Sequence, residues 1–214
     1  MDRRFVITSL ALASTAAIVT RAVGQANSMS GNAMAGNSMA GNAMGGNSMS
    51  GDAMSSAMPM GDAEMKHAMD TQMVGALSLA SSRSALDMAS NADVKKFATF
   101  EVTEQETIAD ILASMKMPAD QAQGALMVPS DDEVMAMLDA DSKDKLNNLN
   151  GMSGDQFDTA YVDLQTDGHE KLLQIQEDYL KVGQNREQLD VAKLARATIK
   201  EHLQHLADLK DMMA

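Results

Sequence analysis

The chain has 214 residues, 17 basic against 30 acidic side chains, a formal net charge of −13, and no cysteine. That charge argues against nucleic acid or an anionic lipid surface as partner and suits attraction of cations, while the missing thiols exclude disulfides, cysteine–zinc sites and thiol nucleophiles. With no tryptophan, four phenylalanines and two tyrosines, the core must be built from Leu, Ala, Ile and Met, which favours helices over sheets.

Residues 1–26 read as an export signal. Arg3 and Arg4 precede an apolar run from Phe5 to Thr20 that is too short for a comfortable membrane span, and Gly24-Gln25-Ala26 supplies a small-x-small cleavage pattern. The Arg-Arg-Phe start is compatible with either the twin-arginine or the general secretory route. The expected location is therefore the periplasm or the outer envelope. No later stretch is apolar enough to span a bilayer.

Residues 27–62 are low in complexity and rich in Gly, Asn, Ala, Ser and Met. Units of five residues place Met29, Met34, Met39, Met44, Met49 and Met54 at even spacing, followed by the Met58-Pro59-Met60 pair. The composition offers too little apolar area to offset chain entropy, so no packed structure is expected here. Thioethers are soft ligands that select Cu(I) and Ag(I) over harder ions. Met65, His67, Met69 and Met73 extend the series, and His67 could add a nitrogen ligand. A flexible tether that tolerates methionine is the competing reading.

Residues 63–214 carry helical patterning. The first helix is expected over roughly 69–89, with Met73, Leu77, Ala80 and Ser84 on its buried stripe. The second runs over about 91–117, with Asn91 as N-cap and Pro118 as its stop. A crossover contains one shorter helix over about 133–149, opened by a capping box at Ser130 and Glu133. The third long helix covers about 156–182, ended by Gly183, and the fourth follows Asn185 to about 212. Four long helices with one long crossover predict an all-α, ferritin-like four-helix bundle.

The stripes of three helices turn polar near their centres. Glu101 and Glu104 interrupt the second, His169 stands beside Gly168 on the third, and His202 interrupts the fourth. If helix midpoints share one level, these groups converge on a buried layer, and a buried carboxylate must be paired, hydrogen-bonded or metal-bound. A di-iron centre of the ferritin type needs two Glu-x-x-His motifs. The chain has none, and the middle of its first helix offers Ser81, Ser82 and Ser84 rather than a carboxylate. A hydrogen-bonded layer that sets helix register and a mononuclear metal site both remain open.

Several segments resemble the DUF4142 family. They are Val94-Lys95-Lys96-Phe97-Ala98, the run Phe100 to Ala109, Phe157-Asp158 with Tyr161, Gly168-His169-Glu170, and Lys200-Glu201-His202-Leu203. The resemblance covers about 69–209. It implies an exported bacterial protein with a ferritin-like bundle and no established activity. Many members have an Asp-His pair in the second helix, where this chain has Thr103-Glu104. Three functions follow as expectations: a non-enzymatic soft-metal binder, a structural or stress-related envelope protein with the methionine segment as spacer, or a ferritin-like metal oxidoreductase.

Overall fold

Helix starts in this chain are written in short polar side chains. In the computed structural model, which describes residues 60–118, 121 and 123–214, six helices are present among the described residues. They are α1 (Asp62–Met88), α2 (Ala92–Ser114), α3 (Asp131–Met137), α4 (Ala140–Asn150), α5 (Gly154–Val182) and α6 (Arg186–Met213). The Asn91 side chain accepts from the backbone N–H groups of Asp93 and Val94 at the start of α2, and Asn185 accepts from Gln188 at the start of α6. Ser130 and Glu133 close a reciprocal capping box on α3. Each such cap contributes about 1 kcal/mol by satisfying donors that the first turn leaves open. Gly154 opens α5 with φ 60°, a left-handed conformation that disfavours any residue with a Cβ.

Three features differ from expectation, the smallest being that α2 ends at Ser114, about a turn short of Pro118. Helix α1 begins at Asp62, ahead of the expected start near 69, because its first turns bury Glu64, His67 and Ala68. Polar residues at buried positions leave no apolar period to read. The crossover carries two helices rather than one, because Asp139 accepts from Ser142 N–H and caps a fresh start at Ala140.

The long helices pair as two antiparallel hairpins, α1–α2 joined through residues 89–91 and α5–α6 through 183–185. Contacts between α1 and α5 run in opposite directions. Glu64 meets Gln184 and Asn185, His67 meets Gln176, and Ser82 meets Tyr161. Helices α2 and α6 touch only sparingly along the remaining seam. Helices α2 and α5 are thus parallel and diagonally opposed, so the link between them must run the length of the bundle. It does so through α3 and α4, whose Val134, Leu138 and Leu146 pack on Ala76 and Leu79 of α1. No described helix is long and apolar enough to cross a membrane.

The two hairpins bury corresponding positions. Glu64, His67, Thr71, Ser78, Ser82 and Ala85 on α1 match Asp158, Tyr161, Gln165, Leu172, Gln176 and Tyr179 on α5 at one constant offset, and the caps Asn91 and Asn185 stand at the same offset. The first pair acts reciprocally. Asp158 accepts from the Ser90 and Asn91 N–H groups in the α1–α2 turn, and Glu64 accepts from the Gln184 and Asn185 N–H groups in the α5–α6 turn. Each hairpin therefore clamps the turn of the other. Between the clamps, Val94, Phe97, Phe157, Tyr161, Leu206 and Leu209 fill one end of the core, and Val74, Leu172, Ala195 and Ile199 fill the other.

Candidate metal centre

Between these two apolar layers the core turns polar. Glu101 stands one helical turn beyond Phe97 on α2, and His202 stands between Ile199 and Leu206 on α6, so a regular heptad-like stripe carries both inward. His169 on α5 is held at the same level. All three are buried, with Glu101 0%, His169 1% and His202 7% exposed. One atom from each forms a tight triangle. Glu101 Oε2 is 2.9 Å from His202 Nδ1 and 3.2 Å from His169 Nε2, and the two nitrogens are 3.2 Å apart.

The outward atoms of two members are already engaged. His169 Nδ1 lies 2.8 Å from the Gln165 carbonyl, which can only accept, so Nδ1 carries the proton and Nε2 faces the triangle. Glu101 Oε1 accepts from Ser78 Oγ and, at 2.9 Å, from Gln105 Nε2. Gln165 in turn ties the layer to α1, its Nε2 lying 3.0 Å from both Ser81 Oγ and Ser82 Oγ. His202 Nε2 lies 3.3 Å from Glu104 Oε2 without forming a hydrogen bond to it. That carboxylate oxygen is buried with no hydrogen-bond partner among the described residues. Phe97 closes the remaining side, its ring 5.2 Å from His202 and 6.0 Å from His169.

Charge follows from this geometry. Burial opposes ionisation of Glu101, yet the facing His169 and the hydrogen bonds from His169, His202 and Ser78 hold its carboxyl well below the ordinary carboxylate range. Burial likewise opposes a charged His169, but the Glu101 carboxylate outweighs it and raises the imidazole. Glu101 is thus held as a carboxylate and His169 is biased towards its protonated form, with His202 hydrogen-bonded to Glu101 between them. Glu104 goes the other way. Burial first, and then the negative charge of Glu101, push its carboxyl up to about 7.

The sequence-predicted residues divide cleanly. Glu101, His169 and His202 converge, and Glu104 borders them. Met29, Met34, Met39, Met44, Met49, Met54 and Met58 lie outside the described residues, as do the expected signal and its cleavage pattern. Met60 lies two residues before α1, ahead of the N-cap Gly61. Met65 and Met69 share an exposed face of α1, at 52% and 64% exposure. His67 does not join them. It faces the core at 3% exposure, with Nε2 2.7 Å from Gln176 Oε1 and Nδ1 2.8 Å from Gln188 Nε2. Both nitrogens are committed, which corrects the expectation that His67 extends the methionine series as a ligand. The expected α1 stripe of Met73, Leu77, Ala80 and Ser84 is also corrected. These positions are only half-buried, and Thr71, Val74, Ser78, Ser82 and Ala85 form the inner face.

Ser78, Gln105 and Gln165 are the supporting residues that the pattern does not reveal. Gln105 alone leaves a trace, since it follows Glu101 by one turn. Its place depends on Gly75, where an added Cβ would lie 2.5 Å from Gln105 Oε1.

No curated protein and no solved structure matches this chain. A family model described as a domain of unknown function, DUF4142, matches residues 49–209, about three quarters of the sequence, including the whole polar layer and every helix but the last few residues of α6. The chain belongs to the DUF4142 family.

Proposed function

We propose that this protein handles transition-metal ions rather than catalysing a reaction, and that Glu101, His169 and His202 hold one divalent first-row ion. The observation that carries this reading is the triangle of facing donor atoms. Metal bonds of about 2.1 Å meeting at roughly 90–109° separate ligand atoms by about 3.0–3.4 Å. The three edges here are 2.9, 3.2 and 3.2 Å. Two imidazoles and one carboxylate suit Fe(II), Cu(II), Zn(II) and their neighbours, and two histidines with one carboxylate on one face leave further coordination positions open. The support behind the ligands points the same way. A ligating histidine usually donates its other ring N–H to a carbonyl or carboxylate. His169 does so to Gln165, and His202 has Glu104 beside its outer nitrogen.

The methionine repeat supports a second capacity. Evenly spaced thioethers from Met29 to Met60 suit Cu(I) or Ag(I), ions for which a carboxylate–imidazole site has little preference. On this reading the exported chain, in the periplasm or envelope, offers soft donors in its low-complexity segment and borderline donors in its bundle. A structural envelope role with the repeat as spacer is the alternative that the same experiments decide.

Titration of the metal-free protein with Co(II), followed by visible absorption, should give one ion per chain, and uptake should release protons because the metal displaces the proton held by His169. Glu101→Gln and His169→Gln should each weaken binding by about 100-fold or more. Equal binding by the Glu101→Gln/His169→Gln/His202→Gln variant, with helicity intact by circular dichroism, would remove the centre. For the repeat, Cu(I) titration against a competing chelator should show several ions per chain that Met→Leu changes across 29–60 abolish.

A further inference from the structure

We propose that ions reach the Glu101–His169–His202 centre through the α2–α6 seam, with His205 as the first ligand they meet and the Phe97 ring as the barrier they pass. The proposal rests on the metal reading above and adds its route. Of the seams between neighbouring long helices, α2–α6 is the one where the backbones stand furthest apart, with side chains such as Phe97, Leu206 and Leu209 filling the space between them. A surface groove of about 250 Å³ opens along it, lined by Asp93, Lys96, Phe97, Phe100, His205 and Asp208 among others. Phe97 belongs to both sides. It lines this groove, and its ring also packs edge-on against His202 and tilted against His169. The Phe97 ring therefore stands between the groove and the donor triangle.

His205 sits one turn beyond His202 on α6. It is exposed, its ring lies nearly parallel to that of His202 with centroids 6.5 Å apart, and its nitrogens make no hydrogen bond with a described residue. It is thus a histidine in solvent contact placed beside a buried one. Asp93 and Asp208 line the same groove and outnumber its one lysine, Lys96, so the mouth carries a net negative charge that favours cations. An aromatic ring has two side-chain torsions and can swing without unfolding its helix. At the α1–α2, α1–α5 and α5–α6 seams the helix backbones approach one another more closely.

A residue on the route should change the rates of binding and release together and leave the equilibrium untouched. Stopped-flow mixing of the metal-free protein with Co(II), and of the loaded protein with a chelator, reads both. His205→Ala should slow association and release by about tenfold each, with one ion still bound at the same affinity. Phe97→Leu should accelerate both. Wild-type rates in both variants, while wild type binds one ion at equilibrium, would overturn the route and leave the centre standing. Loss of affinity in His205→Ala without a change in association rate would make His205 a ligand of the finally bound ion rather than a stage on the way in, and would also overturn the route. Absence of any equilibrium binding by wild type would sink the centre and the route together.

Discussion

Two buried polar clusters in this bundle each contain a histidine from the core face of a helix, and they answer its nitrogens in opposite ways. At one end, His67 is neutral by design. Burial lowers its affinity for a proton despite the hydrogen bond to Gln176 and nearby acidic groups. Gln176 accepts from one nitrogen and Gln188 donates to the other, and Tyr179 stacks on the ring at 4.1 Å. Both ring nitrogens are answered by side-chain amides, so the imidazole has no lone pair left for a ligand. At mid-bundle, the inner atoms of Glu101, His169 and His202 face one another, and a proton or a metal ion must stand between them. Burial of a histidine is therefore uninformative by itself. What separates a structural histidine from a candidate ligand is whether its lone pair meets a donor or another lone pair.

The contrast can be tested by removing one histidine at a time. In metal-free protein, His169→Ala leaves the buried Glu101 carboxylate with His202 as its remaining imidazole and should cost about 3–5 kcal/mol by urea unfolding at neutral pH. A loss no greater than that of His67→Ala would break the comparison. His67→Ala strands neutral amides and should cost about 1–3 kcal/mol, while Co(II) affinity stays at the wild-type value. A fall in that affinity to match His169→Ala would merge the two clusters into one functional unit.

Subtler changes sharpen the distinction. Gly75→Ala drives a Cβ into Gln105 and withdraws a hydrogen bond from Glu101 without touching any proposed ligand. Co(II) affinity should fall by about 10-fold, the lower end of the effect of losing a supporting contact, with the helical content unchanged. Glu104→Gln is expected to stabilise the metal-free fold, and only at higher pH. The ordinary carboxyl loses its proton near 4.5, whereas the folded one keeps it to about 7. The folded state thus binds more protons across that window, and stability falls as pH rises through it. Glutamine removes this penalty, so Tm should rise by about 2–4 °C at pH 8, roughly 1 kcal/mol for a chain of this size, and remain unchanged at pH 4.

His169 and Glu101 titrate with the opposite consequence. The raised imidazole contributes stability that is present at low pH and is lost as pH rises through its folded value. The lowered carboxyl contributes stability that is present above its unfolded value and is lost in acid. Their pair therefore stabilises the metal-free bundle most between the ordinary carboxylate and imidazole ranges. Metal binding should strengthen above that interval, as the proton leaves.

Local chemistry made much of this molecule legible from its residues. Asn91, Ser130 and Asn185 mark helix starts because a short side-chain acceptor satisfies backbone donors wherever the helix later packs. The stripes of α2 and α6 place Glu101 and His202 inside because large apolar residues share their faces, Phe97 one turn before Glu101 and Ile199 and Leu206 on either side of His202. The inner face of α1 followed no such rule. Ser78, Ser81, Ser82 and Thr71 have the same composition as a solvated surface, and only partners on α5 and α2 make their burial affordable. His67 and His169 are likewise alike in sequence, each a polar residue on a core-facing position. Their difference arose when the fold set two glutamine amides against one and a carboxylate with a second imidazole against the other. Periodicity reports which way a side chain points, while tertiary packing alone decides which atoms it meets there.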